Sequence, residues 1–285
     1  MDAVRTSIFQ TPSLETTAGG ALRFAYMASH LPPNTSVNIA FIDAESAKER
    51  IVAIDVLRSS GLTPRPIVSA RRFTSEGALR SFLHQAVQIK GVRDLFLVGG
   101  DPAVPRGPFR DSLDVINGSY LDETNISAIG IAGYPEGHPR IEGAILLDSL
   151  QRKVEALKAK GLHVEITTQL SFDALAVIAW IQRVRGIGIK APIRIGIPSP
   201  AGVSGILKFA KLCRVRTSVE LLQRYGWETT SLLNSAGPDR FLTELLESTE
   251  RLELGPLGLH LYPLGNLEKA LQWFNGWEEK SRWLH

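Results

Sequence analysis

Cysteine is almost absent from this 285-residue chain, where Cys213 stands alone. One thiol can form neither an internal disulfide nor a thiolate metal cluster, and such usage fits a reducing cytoplasm. Long apolar runs are missing too. None reaches the roughly 18 residues that a membrane-spanning helix needs, and Met1 to Gln10 carry no apolar stretch of the signal-peptide kind. Charge of one sign is scarce: Lys+Arg 32 against Asp+Glu 29 leaves +3 at pH 7. The basic residues are scattered, with Arg71-Arg72 the densest early pair. That is a solvated surface and not a nucleic-acid footprint, which requires clustering on one face.

Several catalytic signatures are also lacking. No Gly-x-Gly-x-x-Gly follows the first apolar run, and there is no phosphate-loop Gly-Lys-Ser/Thr. No Gly-x-Ser-x-Gly elbow occurs. His30, His84, His138, His163, His260 and His285 show no His-Glu-x-x-His spacing, which argues against a zinc site.

What is present is ordinary globular usage, 44% hydrophobic and 21% charged, arranged as an alternation. Short β-branched apolar runs at Thr6–Phe9, Val37–Ile42, Pro66–Ser69, Leu95–Val98, Ala128–Ala132, Val164–Thr168, Ile193–Ile197 and Leu259–Tyr262 read as strands. Segments with helical spacing follow them at Ala44–Ser59, Ser75–Gln88, Ile141–Lys160, Phe172–Gly186, Ala201–Leu212 and Gly237–Leu252. Apolar runs without polar alternation suit parallel strands covered on both faces, and parallel strands need crossovers. Eight such units in this length predict an α/β fold, a (β/α)8 TIM barrel with residues 1–285 forming one domain. An open doubly wound sheet is the alternative. Pro102–Tyr120 reads as a long loop with a short helix, and Ser218–Glu228 as an extra helix.

In such barrels the chemistry sits at the carboxyl ends of the strands. Four strings stand there. Val98-Gly99-Gly100-Asp101 pairs glycines, which let a flat ligand approach the backbone, with an aspartate able to accept from heterocyclic N–H groups. The same aspartate could instead cap the next helix. Gly133-Tyr134-Pro135-Glu136-Gly137-His138-Pro139 sets an aromatic, an acid and an imidazole in a loop stiffened by prolines. Asp148 precedes Arg152-Lys153, cations suited to a pyrophosphate or simply solvated. Thr168-Gln169 closes a strand with a donor and an acceptor, as an amide-like ring edge requires.

This ordered set, with Ile166-Thr167-Thr168-Gln169 and Gly196-Ile197-Pro198, resembles the methylenetetrahydrofolate reductases, best from residue 64 to residue 275. The Tyr-Pro-Glu-x-His-Pro string is its specific part. The resemblance implies an FAD-dependent barrel in which NAD(P)H reduces the flavin and hydride passes to 5,10-methylenetetrahydrofolate. It implies that Gly100, Asp101, Tyr134, His138, Asp148, Arg152 and Lys153 hold the flavin. It also implies that Asp101 and Gln169 bind the folate substrate.

Departures from the family pattern stand beside this. The family's first strand reads Phe-Glu-Phe-Phe-Pro, its glutamate helping to open the folate ring; the expected match here is Ser7–Pro12, with Phe9 or Gln10 in the acid's place. Asp101 and Glu136 are then the candidate catalytic acids, and Glu15 a third. Gly99, Ile67 and Ala40 replace residues that touch flavin in the family, and Asn266 stands nearest to its folate-contacting arginine. A flavin-free folate-binding barrel and a non-catalytic partner subunit therefore remain as alternatives. For the subunit, Trp273, Phe274, Trp277 and Trp283 form either a partner surface or packing on the barrel's own outside. The partners expected are a small-molecule folate and, as an open question, a second copy or another subunit; no nucleic acid, metal or membrane is expected.

Overall fold

The computed structural model describes residues 12–200, 238–249, 251–264 and 266–283. Eight strands close in the order β1 to β8: β1 (Ser13–Thr16), β2 (Ser36–Ile39), β3 (Thr63–Ser69), β4 (Asp94–Val98), β5 (Ala128–Gly133), β6 (His163–Leu170), β7 (Ile193–Pro198) and β8 (Leu257–Tyr262). The sequence-based barrel is the observed fold, and seven of its runs fall on β2 to β8.

The first strand differs. Thr6–Phe9 lies outside the described residues, whereas β1 is Ser13–Thr16, paired in parallel with β8 through Ser13 and His260, Leu14 and Leu261. With one strongly apolar residue in four, β1 carries little periodic signal. Its place in the ring is fixed by pairing and by Ser13 and Leu14, both fully buried.

Helices among the described residues are α1 (Ala21–Tyr26), α2 (Ala47–Ser59), α3 (Glu76–Leu83), α4 (Ser112–Asn117), α5 (Gly143–Ala159), α6 (Ala174–Gly186), α7 (Asp239–Thr249) and α8 (Leu267–Trp283). Their starts follow from capping chemistry. Ser46 and Glu49 form a reciprocal capping box on α2, while Ser75, Asp111 and Asp173 cap α3, α4 and α6. The expected helices Ala201–Leu212 and Ser218–Glu228 lie outside the described residues. In α8, Phe274 and Trp277 are buried. Trp273 and Trp277 both donate their indole N–H to Asp239, at 3.2 and 2.5 Å. Phe274 and Trp277 therefore pack within their own chain, Trp273 is half-buried, and the side chain of Trp283 lies outside those described.

The described chain divides into two compact units. One comprises residues 15–132 and 150–166. Its strands carry Arg65, 2% exposed, which donates to Asp94 at 2.9 Å and to Glu165 at 2.6 Å. Gly130 on β5 has no room for a side chain, since a Cβ there would collide with the Phe96 ring and the Arg65 guanidinium. Arg50 of α2 is fully buried between the rings of Phe41 and Phe82, 4.1 and 4.6 Å from their centroids, and donates to the Ile67 carbonyl. Burial pushes its guanidinium down to about 9.

The other unit comprises residues 12–14, 133–149 and the described residues from Thr167 onward. Ile193, Ile195, Ile197, Leu259 and Leu261 are fully buried on β7 and β8, as are Val177, Ile181 and Val184 on α6; each contributes about 1.5–3 kcal/mol. The alternate face of β8 is different: His260 contacts Ser13 Oγ through Nδ1 at 2.8 Å and meets the Tyr262 ring edge-on at 4.7 Å.

Candidate active site

β1 places Glu15 next to its carboxyl end. Alternation puts it on the same face as Ser13, two residues before. Glu15 is half-buried, and burial pushes its carboxyl up to about 7. This is the pKa a general acid needs near neutrality. The acid expected at Phe9 or Gln10 therefore has a different candidate, Glu15, on the strand itself and not in a loop after it. Pro12 ahead of a short alternating stretch was the available signal.

In the same unit, the end of β4 leads into Gly99, Gly100 and Asp101. A Cβ on Gly99 would meet nothing nearer than Asp111 at 4.0 Å, so this peptide is open to a flat ligand. Gly100 has φ +99°, which disfavours any side chain, and a Cβ there would strike Ser69 Oγ. Asp101 is exposed and pairs with Arg72 at 3.2 Å, and Arg72 also engages Asp43. Asp43 stands at a strand end and Arg72 in the densest basic pair of the sequence, but their pairing, between residues 29 positions apart, left no trace in it. On α5, Lys153 is half-buried with no carboxylate within 4.0 Å among the described residues. Burial pushes its ammonium down, partly offset by the more distant Asp111. A cation of this kind fits a phosphate. Asp148 and Arg152 lie one turn apart on the same helix, both exposed.

In the other unit, the loop after β5 turns at Gly137, φ +80°. Tyr134 and His138 meet edge to face with centroids 5.4 Å apart, and His138 Nδ1 accepts from the Arg140 amide at 3.2 Å. Glu136 accepts from the amides of Phe172 and Asp173 at 2.8 and 3.3 Å. Burial raises its pKa, and these two bonds oppose the rise. Gln169 donates to the Gly137 carbonyl at 3.0 Å. Asn266 accepts from the Lys269 amide at 3.0 Å and so caps α8. Among the described residues no group of His, Cys, Asp or Glu is placed to hold a metal ion, and no helix is long and apolar enough to cross a membrane.

A family model described as methylenetetrahydrofolate reductase matches residues 36–272. The chain belongs to the methylenetetrahydrofolate reductase family. The family's Methylenetetrahydrofolate reductase (NADH) 1 of Arabidopsis thaliana is 28% identical over 201 residues, 65% of this chain and 33% of that protein. The probable methylenetetrahydrofolate reductase (NADPH) of Caenorhabditis elegans is 33% identical over 142 residues, 46% of this chain and 20% of that one. The chain thus spans between 20% and 33% of the length of these reductases. An uncharacterized protein from Clostridium thermocellum, whose structure is described as binding two copies of 5-methyl-5,6,7,8-tetrahydrofolic acid, matches with a TM-score of 0.65 at 12% identity. That match covers 97% of this chain and 99% of the other, and shares the fold.

Proposed function

We propose that the chain is a divergent methylenetetrahydrofolate reductase, converting 5,10-methylenetetrahydrofolate to 5-methyltetrahydrofolate with hydride from NAD(P)H by way of FAD. The observation that carries this reading is Glu15: a carboxyl on the first barrel strand, held protonated to about pH 7, in a chain of this family.

Glu15 delivers its proton to the folate nitrogen that leaves the methylene carbon. That C–N bond breaks as the N–H bond forms, and the iminium carbon left behind accepts hydride. General-acid help of this kind is worth typically about 10²–10⁴ in rate. Asp101 accepts from the N–H edge of the pterin. Gln169, at the end of β6, gives one N–H to Gly137 and presents its amide oxygen and second N–H to the substrate. Glu136 acts as the anchor of the Tyr134–His138 turn and not as an acid.

Each unit carries groups of the kind a flavin dinucleotide needs. In one, Lys153, with Arg152 beside it on α5, would hold a phosphate; in the other, Tyr134 and His138 would offer an aromatic face to the ring system. Bound FAD supplies the relay of hydride from NAD(P)H to folate.

One observation favours a second reading, a folate-binding barrel without flavin: Ile67 is buried and offers no polar side-chain atom where the family touches its cofactor. Purified protein, supplied with FAD, NAD(P)H and methylenetetrahydrofolate, separates the two. A yellow protein that forms 5-methyltetrahydrofolate supports the reductase. A protein that binds 5-methyltetrahydrofolate, retains no FAD and oxidises no NAD(P)H belongs to the second reading, and one that does neither has a different function.

A further inference from the structure

The end of β4 has no cation of its own, and one arrives from the neighbouring strand end. Arg72 follows β3, and its side chain is 9% exposed while the carboxylates it holds, Asp43 and Asp101, are 56% and 65% exposed. A buried guanidinium beneath exposed partners is fixed by packing, unlike a surface ion pair whose two long side chains must be ordered together. It lies 5.7 Å from the Phe41 ring centroid, engages Asp43 through Nη1, and donates through Nη2 to Asp101 Oδ2 at 3.2 Å. Asp43 is held in turn by Arg106 at 2.8 Å, so four charges alternate: Arg106, Asp43, Arg72, Asp101.

The backbone makes the same join. Arg71 donates its amide to the Gly99 carbonyl at 2.8 Å, and Arg106 donates its amide to the Arg71 carbonyl at 2.9 Å. Arg71 Nη2 reaches the Ala103 carbonyl at 2.6 Å. Gly100, with φ +99° and no room for a Cβ beside Ser69, precedes Asp101.

We propose that Arg72, backed by Asp43, is the positioning residue that aims Asp101 at the N–H edge of the pterin. The inference rests on the folate reading above. It makes Arg72 act through Asp101, without touching folate itself. It also makes Asp101 a fixed acceptor and leaves proton delivery to Glu15.

The test is a double-mutant cycle on the full chain, read by calorimetric titration with 5-methyltetrahydrofolate, each variant first checked by thermal unfolding. Asp101→Asn weakens binding about 10- to 100-fold, as loss of a charged acceptor does. Arg72→Met weakens it about 3- to 10-fold in the wild-type background but less than about two-fold in the Asp101→Asn background, because coupled residues do not add. Asp43→Asn weakens binding in the same direction and by less. If Arg72→Met does not fold, Arg72→Lys replaces it in the cycle, with the same non-additivity expected. Full additivity, with wild type binding folate, overturns the positioning role alone. Failure of the wild type to bind 5-methyltetrahydrofolate overturns the folate reading and this inference with it.

Discussion

Gln169 donates through Nε2 to the carbonyl oxygen of Gly137 at 3.0 Å. One residue before Gly137, Glu136 accepts the amides of Phe172 and Asp173. The turn that carries Tyr134 and His138 is thus tied in both directions to the end of β6 and the start of α6. One N–H of the Gln169 amide is committed to Gly137, which leaves its second N–H and its oxygen for a ligand.

Glu136→Ala tests the anchoring role. Losing the carboxylate strands two backbone N–H groups and costs about 2 kcal/mol of stability. Folate and flavin binding weaken while kcat falls less than about 10-fold. Urea melts and steady-state kinetics measure both. A loss of about 10² in kcat with stability unchanged would instead make Glu136 an acid.

Arg65 lies between Asp94 and Glu165. Arg65→Met leaves two carboxylates without their shared cation and is expected to cost about 3–5 kcal/mol. Adding Asp94→Asn and Glu165→Gln removes that unpaired charge and recovers most of the loss. Equal instability of the single and triple variants in denaturant melts would show that packing, not charge, sets the effect.

Glu15 also links stability to pH. Its carboxyl is raised from the ordinary 4.5 to about 7 in the folded chain. Between those values the folded state binds more protons than the unfolded one, so this group makes stability fall as pH rises through the window and leaves it flat above. Glu15→Gln removes the penalty. The variant is expected to match wild type at pH 4.5 and to exceed it by about 2 kcal/mol at pH 8, a value reduced from the full linkage because the side chain keeps partial solvent contact. Melting curves at the two pH values check this; a variant no more stable at pH 8 contradicts the raised pKa.

The barrel was legible because seven strands carry dense β-branched or apolar runs, separated by segments with helical spacing. β1 was not. Ser13–Thr16 is short and mostly polar, and its identity comes from pairing with residues 247 positions away. The run at Thr6–Phe9, which lies outside the described residues, read more strongly than Ser13–Thr16, and that reading put the acid's expected place at Phe9 or Gln10. The candidate residues picked by motif, from Asp101 to Gln169, could be named from the sequence. Their engagements, Asp101 with Arg72 and Glu136 with two amides, arise from packing and leave no periodic trace.

The most direct test is the pH dependence of NAD(P)H-driven methylenetetrahydrofolate reduction by wild type and Glu15→Gln, alongside 5-methyltetrahydrofolate binding by both. With Glu15 as the proton donor, the wild-type rate declines as pH rises through about 7. The variant then loses about 10² or more in rate while still binding the product. A variant as fast as wild type, with the same pH profile, would contradict the account.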